Sequence, residues 1–163
     1  KYAGTTPGTH EVAARLLRTG MRHDLVARHI YDDEPFAALR LLGGALDRSV
    51  LEASAVGGLG LVWTAVSAAE RDALGLPLDA VERVIDVLRI ATEAEVACVL
   101  KQDDTLAWRV SMRSKGRIDV SAVAMELGGG GHRYAAGFTG HGEPDAVLAS
   151  VRDALGSAPH LPE

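Results

Sequence analysis

Glu126-Leu-Gly-Gly-Gly-Gly-His132-Arg-Tyr-Ala-Ala-Gly-Phe138 is the stretch on which the reading of this chain turns. Gly128 to Gly131 carry no Cβ atoms, so positive φ costs little there and an outside group can approach the amides closely. Before the glycines, Val120, Val123, Ala124 and Leu127 recur at the spacing of one helical face, and Gly128 then reads as the residue that ends that helix. After them, His132 to Ala136 reads as the first turn of another short helix, whose free N–H groups would face the loop. That arrangement suits an anion, phosphate above all. A flexible linker and a histidine that merely caps or packs are the plainer alternatives. Apolar helical sequence on both sides of the glycines favours a built loop.

A second constellation lies upstream, in Val110-Ser-Met-Arg-Ser-Lys-Gly-Arg117. A strand ending near Arg113 would project Arg113, Ser114 and Lys115 from its junction with the following turn. Arginine offers a planar fork to phosphate, and a serine hydroxyl adds a further donor. With the amides of Gly129, Gly130 and Gly131 and the ring of His132, they would grip a nucleotide by its phosphate. Arg113 taken alone reads equally well as a surface ion-pair partner. His132 can serve as a switchable cation or a neutral donor. No second His, Cys or carboxylate stands near it at metal-ligand spacing, so no metal site is expected there. The other histidines share no spacing, and Trp63 and Trp108 are expected in the core.

The two motifs together, Gly-Gly-Gly-His132 followed by Ala135-Ala-Gly137 with Ser111-Met-Arg-Ser114 upstream, resemble the DHHA1 domain, the C-terminal substrate-binding domain of DHH-family phosphoesterases. The resemblance runs from about Leu46 to Leu155 and is nearest the bacterial nanoRNase and pAp-phosphatase branch. It implies that Arg113, Ser114, Gly129, Gly130, Gly131 and His132 bind substrate. It also implies a manganese-dependent hydrolase acting on short oligonucleotides, pAp, or linear and cyclic dinucleotides. The family's metal ligands and its Asp-His-His motif lie in a separate N-terminal DHH domain. No Asp-His-His occurs in this sequence, so no catalytic residue is expected within it.

At 163 residues the chain holds one domain with a sizeable core plus an appendage. An apolar share of 47% with 24% charged residues is ordinary for a globular protein. No apolar run approaches the roughly 18 residues that span a bilayer, and no signal-peptide pattern is seen. The lone Cys98, inside an apolar run, reads as a small core residue in a reducing cytoplasm. A net charge of −5 excludes a protein that coats nucleic acid indiscriminately. Between Arg109 and Arg133, however, five basic residues face two acidic ones, a local +3 that suits a small anionic ligand.

Lys1 is not an initiator, so a longer or processed protein is expected. Thr6-Pro7 starts a first helix that Gly20 ends, Asp24 is placed to cap a second, and Asp32 to Glu34 to open a third. Residues 1–46 are assigned to the last helices of the DHH domain and its connector, 47–157 to the DHHA1 domain and 158–163 to a loose tail. The first helices would expose an apolar face, packing back on the domain or mediating association, for instance as a homodimer. Two hairpins follow, one around Gly57-Gly58 and one around Asp103-Asp104. Ser67 to Glu70 matches a capping box, Leu78 to Leu88 has helical spacing, Phe138-Thr139 forms a short edge strand, and a last helix spans Pro144 to Leu155. The sum is an α+β fold with helices on a mixed or mostly antiparallel sheet.

Three functional classes meet these features. One is the substrate-binding part of a phosphoesterase whose partners are short single-stranded RNA, mono- or dinucleotide phosphates and its own DHH domain. Another is an RNA-binding module similar to the C-terminal domain of alanyl-tRNA synthetase. The third is a structural or dimerisation domain.

Overall fold

The computed structural model describes residues 5–161 and divides into two compact units, Lys1–Pro35 and Phe36–Glu163. The first holds α1 (Pro7–Arg18) and α2 (His23–Tyr31). Thr6 caps α1 as its sequence foretells, taking the Thr9 amide while the Thr9 hydroxyl accepts from the Thr6 amide at 3.2 Å. Asp24 does not cap α2. Arg22 occupies that position, and its guanidinium grips Asp24 at 2.8 and 2.5 Å instead. Neither helix buries a residue, and Val12, Leu16, Leu25 and Ile30 stand exposed.

The second unit starts with α3 (Phe36–Asp47), so the structural boundary falls ten residues or so before the one expected at 46. The reason lies in Ala38, Leu41 and Ala45, one turn apart, which are buried among the helices and strands that follow. Asp32 to Glu34 precede this helix without entering its first turn.

After α3 come β1 (Val50–Glu52), the single turn α4 (Ala55–Gly58), β2 (Leu61–Val66), α5 (Ala68–Ala73), a 3-10 turn (Leu78–Val81) and α6 (Glu82–Leu88). Then follow β3 (Val96–Gln102), β4 (Trp108–Ser114), α7 (Val120–Glu126), β5 (Gly130–His132), β6 (Ala135–Gly140) and α8 (Pro144–Gly156). The strands form one sheet in the order β1-β2-β3-β4-β6-β5. Only the β2–β3 pairing is parallel, and α5 and α6 supply the crossover it requires. This is the α+β fold with a mixed sheet that the sequence predicts.

Period-two alternation sorts the side chains into two layers. Cys98, Leu100, Val110, Met112, Ala136 and Phe138 point to one face, where α7 and α8 cover them with Val123, Leu148 and Val151. Val62, Val66, Ala97 and Val99 point to the other face, under α3 and α6. β3 is thus apolar on both sides, which its unbroken run Val96-Ala-Cys-Val-Leu100 requires. Burial pushes the Cys98 thiol up to about 12, leaving it a packing group.

Two loops differ from expectation. β1 does not reach Gly57, because the chain turns through Val56 and Gly57 at φ 54° and 63°. That turn inserts the Val56 side chain into the core, a burial that offsets the strain of a β-branched residue at positive φ. The segment after α8 is not loose: Ile118 bridges His160, the Asp119 amide donates to Pro159 O at 3.0 Å, and the Leu161 amide to Arg117 O at 2.8 Å. Residues 162 and 163 of that tail lie outside the described ones.

The β3–β4 hairpin forms as expected, and its turn is fastened by Asp103. One carboxylate oxygen accepts from the Thr105 amide, the Thr105 hydroxyl and the Ala107 amide at 2.9, 2.6 and 3.2 Å, and the other takes Arg109 Nε at 2.8 Å. The Thr105 hydroxyl first, then the Arg109 guanidinium, hold this carboxyl at about 2, below its ordinary 3.8. A depressed carboxylate stabilises the fold above its unfolded value and ceases to do so as pH falls through its folded one. Denaturant titrations of the parent and Asp103→Asn are therefore expected to differ at neutral pH and to converge between pH 4 and 2.

Candidate functional site

Strands β4, β6 and β5 form the half of the sheet whose second-face residues are half-exposed or exposed. Residues directly opposite in an antiparallel pair project to the same side. Arg113 faces Ala135, and Ala135 faces His132, so the three make one row across β4, β6 and β5. Ser111, Gly137 and Gly130 make the next row. Arg109 and Thr139 make the third. None of these residues belongs to either hydrophobic cluster, and all are half-exposed or exposed. The result is a shallow floor of small residues with a cation at each end.

Arg113 and His132 are separated by two strand spacings, about 10 Å between backbones. A guanidinium and an imidazole on one face at that distance can converge on a single phosphate. Arg113 has no carboxylate partner among the described residues. Its Nη1 donates to Met112 O at 3.0 Å, which fixes one edge of the fork and leaves the rest for a ligand. The His132 ring has no hydrogen-bond partner among the described residues and is exposed.

The chain from His132 to Ala136 is not the helix turn expected from the sequence. It is the tight connection of the β5–β6 hairpin, with Arg133 and Tyr134 at its tip. Phe138-Thr139 likewise lies in a six-residue strand inside the sheet, and β5 forms the edge. Hairpin geometry prevails because Ala136 and Phe138 alternate into the core, a period-two pattern that a helix would break. Anion binding by a helix N-terminus is therefore not the physics available at this site. The charged side chains Arg109 and Arg113 on β4 and the open β5 edge are the polar groups this face presents instead.

The glycines do different jobs. A Cβ at Gly129 would collide with the Gly137 carbonyl and Phe138, and one at Gly131 would lie 2.5 Å from the Ala136 Cα, so these two let β5 close onto β6. Gly130 is different: it has no positive φ and its Cβ would meet nothing within 4 Å. The fold makes no demand for glycine at the middle of the open floor.

Ser114, expected to reach the ligand, is buried and turned inward. Its hydroxyl donates to Glu95 Oε1 at 2.9 Å, and the same oxygen accepts the Gly116 and Arg117 amides at 2.8 Å each. Ser114 and Glu95 thus shape the turn after Arg113, while Ser114 N and Val120 N donate to Tyr134 O and Arg133 O and fasten the hairpin tip to it. Lys115 bonds away from the floor, to Ala91 O. Ser111 and Gly137 enter the sequence reading only through the motifs, Arg109 only through local charge and Thr139 only as strand; none is assigned to the site there, although Arg109, Ser111 and Arg113 at every second position of one strand were the available signal.

No group of three or more His, Cys, Asp or Glu side chains converges among the described residues. No helix among the described residues is long and apolar enough to cross a membrane.

The chain is similar to several known proteins. The bifunctional oligoribonuclease and PAP phosphatase NrnA of Thermus thermophilus is 31% identical over 167 residues, which take in 99% of this chain and 48% of that protein. The chain therefore spans about half the length of this curated relative. An exopolyphosphatase-related protein from Bacteroides fragilis shares the fold with a TM-score of 0.85 at 20% identity, over 96% of this chain and 45% of that one. A pGpG-specific phosphodiesterase, PggH from Vibrio cholerae, does so with a TM-score of 0.52 at 10% identity, over 76% and 40%. The DHHA1 domain model matches residues 65–157, more than half of the sequence and the whole of the β3–β4–β6–β5 floor, and the chain belongs to the DHHA1 domain family.

Proposed function

We propose that this chain is the substrate-binding part of a phosphoesterase and that its open sheet face holds the phosphate end of a short oligonucleotide or small phosphorylated nucleotide. The observation that carries the reading is the row Arg113–Ala135–His132, two potential phosphate donors on one uncovered face beside a glycine that packing does not require. The relative from Thermus is named for oligoribonuclease and PAP phosphatase activity, and the Vibrio structure for pGpG cleavage. Short RNA, pAp and linear or cyclic dinucleotides all present the terminal or bridging phosphate that such a row would take.

In this reading Arg113 makes the strongest contact, because its planar fork can pair two phosphate oxygens at once. His132 adds a second donor, a ring N–H, at the other end of the row. Bond cleavage belongs to the DHH half of the whole protein, where manganese and its activated water would act, in a cytoplasmic enzyme.

Isothermal titration of this chain with 5′-phosphorylated dinucleotide is expected to show weak but saturable binding. Arg113→Ala is expected to weaken it about tenfold or more, as loss of a charge-assisted pair implies. His132→Ala is expected to weaken it less. Unchanged affinity in both variants, or preference for tRNA over the dinucleotide, overturns the proposal. The glycines give an independent check: Gly130→Ala is expected to keep or slightly raise the unfolding free energy while lowering affinity. Gly131→Ala is expected to cost about 1–3 kcal/mol of stability, since a side chain there meets both an unfavourable φ and the Ala136 backbone.

A further inference from the structure

The turn that follows Arg113 is held on one side by a single buried carboxylate. Pairing of β3 with β4 brings Glu95 beside Lys115, and the Lys115 amide donates to Glu95 O at 3.1 Å. That bond follows from the strand register; the side-chain bonds do not. Glu95 is only 7% exposed, and its Oε1 collects the Ser114 hydroxyl at 2.9 Å and the Gly116 and Arg117 amides at 2.8 Å each. Lys115 Nζ adds a further tie, to Ala91 O on the same connection between α6 and β3. Glu95 is in turn fixed from behind. Its amide donates to Leu59 O at 2.8 Å, and Gly60 packs so closely there that a Cβ on it would lie 2.1 Å from the Glu93 carbonyl oxygen. Glu95 is therefore a post anchored in the sheet, and the turn is fitted to it.

Ser114 is where this post meets the site. Its hydroxyl goes to Glu95, while its amide donates to Tyr134 O at the tip of the hairpin that carries His132. Arg113, one residue earlier, is aimed by no acid among the described residues and bonds only the Met112 carbonyl. Burying a carboxylate without an ion-pair partner is a costly way to hold a turn. Bonds to an ionised acceptor are shorter and stronger than neutral ones, so they fix the direction of the chain leaving Arg113 more firmly. We infer that Glu95 is a positioning residue for ligand binding: it touches no ligand and acts through Ser114, setting the direction of Arg113 and its alignment with His132. This rests on the proposed role of the Arg113 row, to which it adds the residue that sets the row's geometry.

The test is a double-mutant cycle on the affinity of this chain for 5′-phosphorylated dinucleotide, with Glu95→Ala and Glu95→Gln each made in the parent and in Arg113→Ala. In the parent, Glu95→Ala is expected to weaken binding about fivefold, and Glu95→Gln only about twofold because its amide keeps an oxygen in place of Oε1. In Arg113→Ala both are expected to change affinity by less than about 1.5-fold, since nothing is left for Glu95 to aim. A carboxylate that served the fold alone would lower the unfolding free energy in both backgrounds without this coupling. Equal losses of affinity in the two backgrounds, or none in either, overturn the positioning role and leave the Arg113 site standing. Absence of binding by the parent, or full affinity in Arg113→Ala, overturns the site and the positioning role together. Should Glu95→Ala not fold, Ser114→Ala takes its place in the cycle, leaving the carboxylate and its two amide bonds intact. It is expected to weaken binding about threefold in the parent and not measurably in Arg113→Ala, and an equal loss in both counts against the role.

Discussion

The register in which β4 pairs with β6 decides which side of the sheet carries charge. Side chains alternate with a period of two residues, so sliding β4 by one position would bury Arg109, Ser111 and Arg113 and expose Val110 and Met112. Burying an unpaired guanidinium costs far more than any backbone hydrogen bond returns. Apolar packing of Trp108, Val110 and Met112 beneath α7 and α8 therefore does two things at once. It supplies core, and it forces every intervening residue onto the uncovered face.

The β5–β6 hairpin completes that face, and glycine is what lets it approach. Gly129 and Gly131 bring a strand backbone against Ala136 and Phe138 where any side chain would stand in the way. The hairpin tip is in turn bonded to Ser114 and Val120 through Tyr134 O and Arg133 O. Arg113 and His132, nineteen positions apart in sequence, consequently belong to one rigid row. A buried carboxylate with no ion-pair partner among the described residues, Glu95, finishes the job by gathering the Ser114 hydroxyl and two amides of the following turn. Three hydrogen bonds to one oxygen compensate its burial.

Much of the architecture was legible in the sequence because its signals are local. Thr6 and Ser67 are side-chain caps, the run around Cys98 marks a strand buried on both faces, and Val147, Leu148, Val151 and Leu155 mark α8. What misled is equally physical. Four consecutive glycines have no side chains to display a period, so the helix-like Ala135-Ala136 pair prevailed over the alternation of Ala136 and Phe138. Ser114 was misjudged for a similar reason: which way a serine at a strand end points depends on Glu95, nineteen residues away, and no spacing rule carries that information. Arg113 and His132 were legible as residue types, but their shared row follows from pairing that involves Ala135.

The return of the chain at residues 158–161 onto Arg117, Ile118 and Asp119 reaches further than a surface detail. Those three positions lie between the Glu95-braced turn and α7, so this closing strap shares a frame with the arginine row. Its backbone bonds tie the last described residues to the stretch that leads from the turn after Arg113 into α7. A change near His160 is therefore passed to residues 117–119 through backbone bonds rather than through any side chain of the rows.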